Sequence, residues 1–204
     1  NYLRGVQQAD GNIGGFGNSA WVVMAIAASG EDPHSWNSGG PSIVDYLSAN
    51  ASEAASATDY SRMILAIVAA DEDPTNFGGR DFVSLLQAEY DGSQIGNPSF
   101  LNDDFWGVMA LIAAGTSPSD TIITNVTSHI KSNQCGDGGW SWGVVRSTLQ
   151  PDWPSTSHEP GCAPSVGRMC RRTIWHSVRA QPSVCLCRSA PEACWSKRAI
   201  ARFV

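Results

Sequence analysis

The chain has 204 residues, a formal net charge of −6 and 42% hydrophobic residues, which is enough for one core or two. No apolar run approaches the roughly 20 residues that span a bilayer. Charge is unevenly divided. Residues 1–144 carry four basic side chains (Arg4, Arg62, Arg80, Lys131) against sixteen acidic ones, and residues 145–204 carry nine basic against three acidic. The acidic part disfavours a nucleic-acid partner, and the switch marks a boundary near Val144.

The chain opens on YLRGVQQADGNIGGFG, the end of a helix followed by a glycine turn. The next segment, SAWVVMAIAASGEDP (Ser19–Pro33), is the first of three that align. The others are DYSRMILAIVAADEDP (Asp59–Pro74) and DDFWGVMALIAAGTSP (Asp103–Pro118). Their shared alanines, Ala25, Ala66 and Ala110, are 41 and 44 residues apart, and Pro33, Pro74 and Pro118 keep those intervals. A period in the 40s holds two helices and two turns. Polar residues stand at each segment's start (Asn18-Ser19, Thr58-Asp59, Asn102-Asp103-Asp104) and are expected to cap its first turn. The nearly continuous apolar and small residues that follow predict an inner helix buried on most sides.

PSIVDYLSAN (Pro41–Asn50), RDFVSLLQAEY (Arg80–Tyr90) and DTIITNVTSHIKSNQ (Asp120–Gln134) alternate with these segments. Their apolar residues recur at three-to-four spacing, as on half-exposed outer helices. Pro41 is expected in a first helical turn. Each outer helix hands over to the next inner one through a turn, and in two of these a glutamine, a glycine and an aromatic recur: Gln7, Gly11 and Phe16, then Gln134, Gly138 and Trp140. Glycine supplies positive φ at the helix end. The glutamine amide is expected to bond free backbone groups, with the aromatic ring over it. The middle counterpart, LLQAEYDGSQIGNPSF, is expected to be degraded.

Gln-x-x-x-Gly-x-Trp after an outer helix, within pairs of this period, resembles the QW repeats of squalene and oxidosqualene cyclases. More broadly, residues 1–144 resemble the terpenoid cyclase and protein prenyltransferase α/α-toroid superfamily. The resemblance implies an all-α fold: an incomplete α/α toroid of about three helical-hairpin pairs, part of a larger ring around a central cavity. Trp21, Tyr60, Phe105 and Trp106 are the candidate cavity lining.

The same resemblance frames the chemistry. The cyclases protonate an alkene with an Asp-x-Asp-Asp motif. Here the only candidate acids are Asp103 and Asp104 in LNDDFWG, where spacing and identity both depart from that motif. Their expected role is capping an inner helix. The prenyltransferases hold zinc with Asp, Cys and His, whereas Cys135, His34 and His129 form no usable trio here. GEDP and DEDP lack the ligand pattern of a calcium loop, so neither metal nor cofactor is expected. NAS at Asn50 and NVT at Asn125 fit the N-glycosylation pattern, which short stretches also match by chance. The expected function is a non-catalytic repeat module that binds a small apolar ligand or a protein partner within a larger surface or secreted protein. The alternative is part of a terpenoid cyclase whose acid lies in other repeats.

Residues 145–204 show no repeat. Cys162, Cys170, Cys185, Cys187 and Cys194 form no Cys-x-x-Cys pair. The segment is expected to be an irregular or disordered tail, basic and rich in Cys and Arg, and read out of frame. In the frame that starts at the third base of each codon, the Asp152–Trp153 junction must encode Leu and the Trp153–Pro154 junction must encode Ala. That alanine falls about 44 residues beyond Ala110, at the interval of the repeat.

Overall fold

The computed structural model of the chain describes residues 2–135 and 138–144. Residues 145–204 lie outside it, and with them the tail, its cysteines and the out-of-frame reading. The protein is all-α. The described helices are α1 (Tyr2–Val6), α2 (Phe16–Ala28), α3 (Ile43–Ala49), α4 (Ala57–Ala69), α5 (Phe82–Ala88), α6 (Leu101–Ala113) and α7 (Thr121–Ser132). Among the described residues there is no strand, only isolated bridges such as Asn37–Ser42 and Phe77–Arg80. No described helix is long and apolar enough to cross a membrane.

The helices form two layers. The inner layer is α2, α4 and α6, each of 13 residues, with α4 packed between the other two. Each outer helix, α3, α5 or α7, packs against the inner helix that precedes it in the chain. Between the layers, Val23, Ile43, Leu47, Met63, Ile64, Phe82, Leu86, Leu111 and Val126 are buried in one core. Burying each of the larger side chains contributes roughly 1.5–3 kcal/mol.

The three outer helices and α4 start with side-chain caps. Ser42 and Asp45 form a reciprocal capping box on α3: the Ser42 N–H donates to the Asp45 carboxylate at 2.8 Å and the Asp45 N–H donates to Ser42 Oγ at 3.1 Å. Pro41 therefore stands before the cap rather than in the first turn. Ser56 caps α4 by accepting from the Asp59 N–H at 3.2 Å. None of the three inner helices is capped by the residues expected: Thr58 and Asp59 lie inside α4, which Ser56 caps. Gly15 and Phe100 precede α2 and α6 and give no side-chain cap. Ser19, Asp103 and Asp104 lie inside the helices and bond backward instead, as described below.

All three inner helices end alike. The N–H groups of Glu31, Glu72 and Thr116 donate to the carbonyls of Ile26, Ile67 and Leu111 at 3.2, 3.0 and 2.9 Å. The residues that make this bend possible are Gly30, Asp71 and Gly115, at φ of 83°, 57° and 90°. Two are glycine, which takes that conformation freely. Asp71 is the one described non-glycine residue in it, where a Cβ is crowded.

The inner helices are less enclosed than their composition predicts. Trp21 is 39% exposed and Met109 53% exposed. Ala25 is exposed although its counterparts Ala66 and Ala110 are fully buried. An inner helix is covered only where another helix lies beside it, and α4 alone has an inner neighbour on both sides.

Candidate functional site

The two candidate acids stand in the first turn of α6, and both carboxylates face the preceding loop rather than the helix's own N–H groups. Asp103 accepts from the Asn97 N–H at 3.0 Å and from the Thr58 hydroxyl on α4. Asp104 is fully buried and accepts from the Ile95 N–H at 2.9 Å. Its second oxygen, Oδ2, lies 3.8 Å from His129 Nε2 on α7, and neither atom has a hydrogen-bond partner. Burial pushes the Asp104 carboxyl up to about 6, against the pull of the Ile95 N–H and the His129 charge; the charges of Asp103 and Asp91 add to the rise. The carboxyl can hold a proton near neutrality, but it holds it between α6 and the outer helix.

Ser19 on α2 does for Ile13 what Asp104 does for Ile95. Its hydroxyl accepts from the Ile13 N–H at 2.9 Å, and both isoleucines are buried. The shared signal in the sequence is Ile-Gly in each turn, Ile13-Gly14 and Ile95-Gly96.

In each handover turn a side chain of the preceding outer segment donates to a glycine carbonyl. Gln7 is buried, and its amide donates to the carbonyls of Gly11 at 3.0 Å and Trp36 at 2.9 Å. The Gln134 amide donates to the Gly138 carbonyl at 2.7 Å. In the middle turn, expected to be degraded, Tyr90 supplies the bond instead: its hydroxyl donates to the Gly92 carbonyl at 2.6 Å. Gly11 sits at φ 94°, where a Cβ would lie 2.5 Å from the Ser42 carbonyl oxygen. The aromatics are placed differently in the two glutamine turns. Phe16 starts α2 and is buried. Trp140 is 45% exposed, and its indole N–H donates to the Ile130 carbonyl at 2.9 Å.

Of the four candidate lining residues, Trp21 and Trp106 come together. Their rings meet edge to face at 5.0 Å, in a geometry worth about 1 kcal/mol beyond area burial. The Trp106 indole N–H donates to Asn102 at 3.1 Å, and the Asn102 amide donates to Thr58 at 3.4 Å. Trp21, Arg62 and Trp106 each lie four residues before the shared alanine of their helix. Arg62 pairs with Asp59 and lies close to Gly17 on α2. Tyr60 is elsewhere, buried against Phe82 at 6.4 Å with the Arg80 guanidinium 5.6 Å from its ring. Phe105 meets Trp140 edge to face at 6.2 Å. A shallow hollow of about 360 Å³ lies on the outer side, lined by Arg80, Asp81, Ser84, Leu85 and Ala88. Among the described residues no group of three His, Cys, Asp or Glu is placed to hold a metal ion.

Comparison of the chain with family models, with curated proteins and with solved structures found no match.

Proposed function

We propose that residues 1–144 form a non-catalytic repeat module of the terpenoid cyclase and prenyltransferase type. In this reading the faces of α2 and α6 that carry Trp21, Trp106 and Met109 bind a small apolar ligand or a protein partner, within a larger surface or secreted protein. The observation that supports binding is the Trp21–Trp106 pair, an aromatic surface left partly open beside the exposed Met109. The observation that supports the absence of catalysis is the direction of the acids. Asp104 is turned into loop 95–97 and toward α7, and both Asp103 oxygens are taken up, by the Asn97 N–H and the Thr58 hydroxyl. A protonating acid needs its substrate against it in a dry pocket.

Titrating the chain with farnesol while following tryptophan emission tests the reading. Saturable quenching that Trp21→Ala and Trp106→Ala abolish, and Tyr60→Phe leaves intact, supports it. No response to farnesol, with no retained protein partner either, refutes it. The second reading, part of a terpenoid cyclase, is favoured only by the proton that Asp104 can hold near neutrality. It requires a cyclic product from squalene or a shorter isoprenoid that Asp104→Asn removes.

A further inference from the structure

At two sets of equivalent positions on the inner helices, burial is lost only on the last helix. Ala20 on α2 and Ser61 on α4 are fully buried, as are Val23 and Ile64. Their counterparts on α6, Phe105 and Val108, are only half-buried. In α2 and α4 a later inner helix lies alongside, α4 and α6 respectively. Beyond α6 the chain builds another handover turn. Gln134 bonds to Gly138, Phe100 and Gly143 form a bridge, and the Leu101 N–H donates to the Trp142 carbonyl at 3.1 Å. That turn leaves Trp140 45% and Trp142 69% exposed beside the open flank of α6. Exposed aromatics grouped on one flank mark a surface built to be covered.

We propose that this flank is the docking surface for a fourth inner helix, encoded beyond Val144 in the frame that starts at the third base of each codon. The proposal does not depend on what the inner face binds. Two independent observations meet on it. The burial pattern asks for one more helix of the α2, α4, α6 series. The codons of Asp152, Trp153 and Pro154 dictate Leu-Ala in that frame, with the alanine at the interval of Ala25, Ala66 and Ala110. The flanking junctions fit the same helix: Gln150–Pro151 can encode only Ala or Thr, and Pro154–Ser155 encodes Phe, Leu, Ile or Val when the serine codon is TCN.

The first test is the nucleotide sequence. The shifted frame must stay open across about 13 codons, the length of α6. It closes at Pro151–Asp152 if the proline codon is CCT, and at Pro154–Ser155 or Thr156–Ser157 if the first codon ends in T and the serine codon is AGT or AGC. A stop at any junction up to Thr156–Ser157 overturns the proposal; a frame open through that junction supports it. The second test compares the full chain with one expressed from the gene shifted by a single inserted base after the Val144 codon. The expected result is a blue shift of tryptophan emission, weaker binding of a hydrophobic dye and a higher denaturant midpoint in the shifted chain. Unchanged emission and midpoint would sink the idea, as would a dimer of the original chain that Trp142→Ser dissolves, since the flank would then serve a second copy.

Discussion

Asp104 Oδ2 and His129 Nε2 face each other at 3.8 Å across the α6–α7 contact, and neither is hydrogen-bonded. The carboxyl titrates at about 6 in the folded chain, raised from an ordinary 3.8 chiefly by burial. A carboxyl raised on folding is most stabilising when protonated, and that stability is lost as pH rises through the folded value. Lowering the pH from 7 to 5 crosses the folded value by about one unit and is therefore expected to stabilise the fold by about 1.3 kcal/mol, at 1.36 kcal/mol per pKa unit. Below about pH 4 the trend reverses. Asp45 and Asp91 are held below the usual carboxylate range by the N–H groups they accept from, those of Ser42 for Asp45 and Gln94 for Asp91, and their protonation then costs stability. Urea denaturation at pH 7, 5 and 3 checks the curve. Asp104→Asn keeps an acceptor for the Ile95 N–H and should flatten the rise between pH 7 and 5.

The two glutamine clamps should differ in strength. Gln7 makes two bonds in a buried site, whereas Gln134 bonds Gly138 at the surface. Gln7→Ala is expected to cost about 2 kcal/mol and Gln134→Ala about 1 kcal/mol or less. Trp140→Ala should cost no more than about 2 kcal/mol, below the range for a fully buried aromatic, because its ring is partly in water. Denaturant midpoints of the three variants, compared at equal m-value, decide the order.

Asp71 offers a substitution expected to stabilise. It holds φ at 57° where α2 and α6 use Gly30 and Gly115. Asp71→Gly should gain on the order of 0.5–1 kcal/mol by removing the Cβ from a left-handed position. Gly30→Ala should lose at least as much. A thermal melt of each variant is sufficient, and the two should shift in opposite directions.

Squalene and shorter isoprenoids are expected to emerge uncyclised from incubation with the chain. Both Asp103 oxygens are engaged, by the Asn97 N–H and the Thr58 hydroxyl, and Asp104 is buried against the Ile95 N–H and His129 rather than at the Trp21–Trp106 surface. Product analysis by mass spectrometry checks this, and Asp104→Asn should leave the product profile unchanged.

The layered arrangement was legible in the sequence because the signal repeats. Ala25, Ala66 and Ala110 locate the inner helices to within a few residues, and the three-to-four spacing locates the outer ones. The caps were not legible, because Ser19, Asp103 and Asp104 have the composition of caps but act across space on Ile13, Asn97 and Ile95. Substitution across chemical types hid the middle turn, where a tyrosine hydroxyl does the work of a glutamine amide. The pairing of Trp21 with Trp106 spans α4 and depends on how three helices pack, which no local pattern encodes. The same holds for Asp104 and His129, two residues on different helices with no shared motif.

The spatial order of the inner helices is also their order along the chain, with α4 beside α2 and α6 beside α4. Synthesis on the ribosome therefore delivers each pair next to a surface that is already made. No described inner helix waits for a distant partner to be translated, and such local connectivity favours rapid folding. Once translation has run far enough past Val144 for α7 to clear the exit tunnel, every partner of the three pairs is outside. Whatever codons follow, the three upstream pairs are already complete.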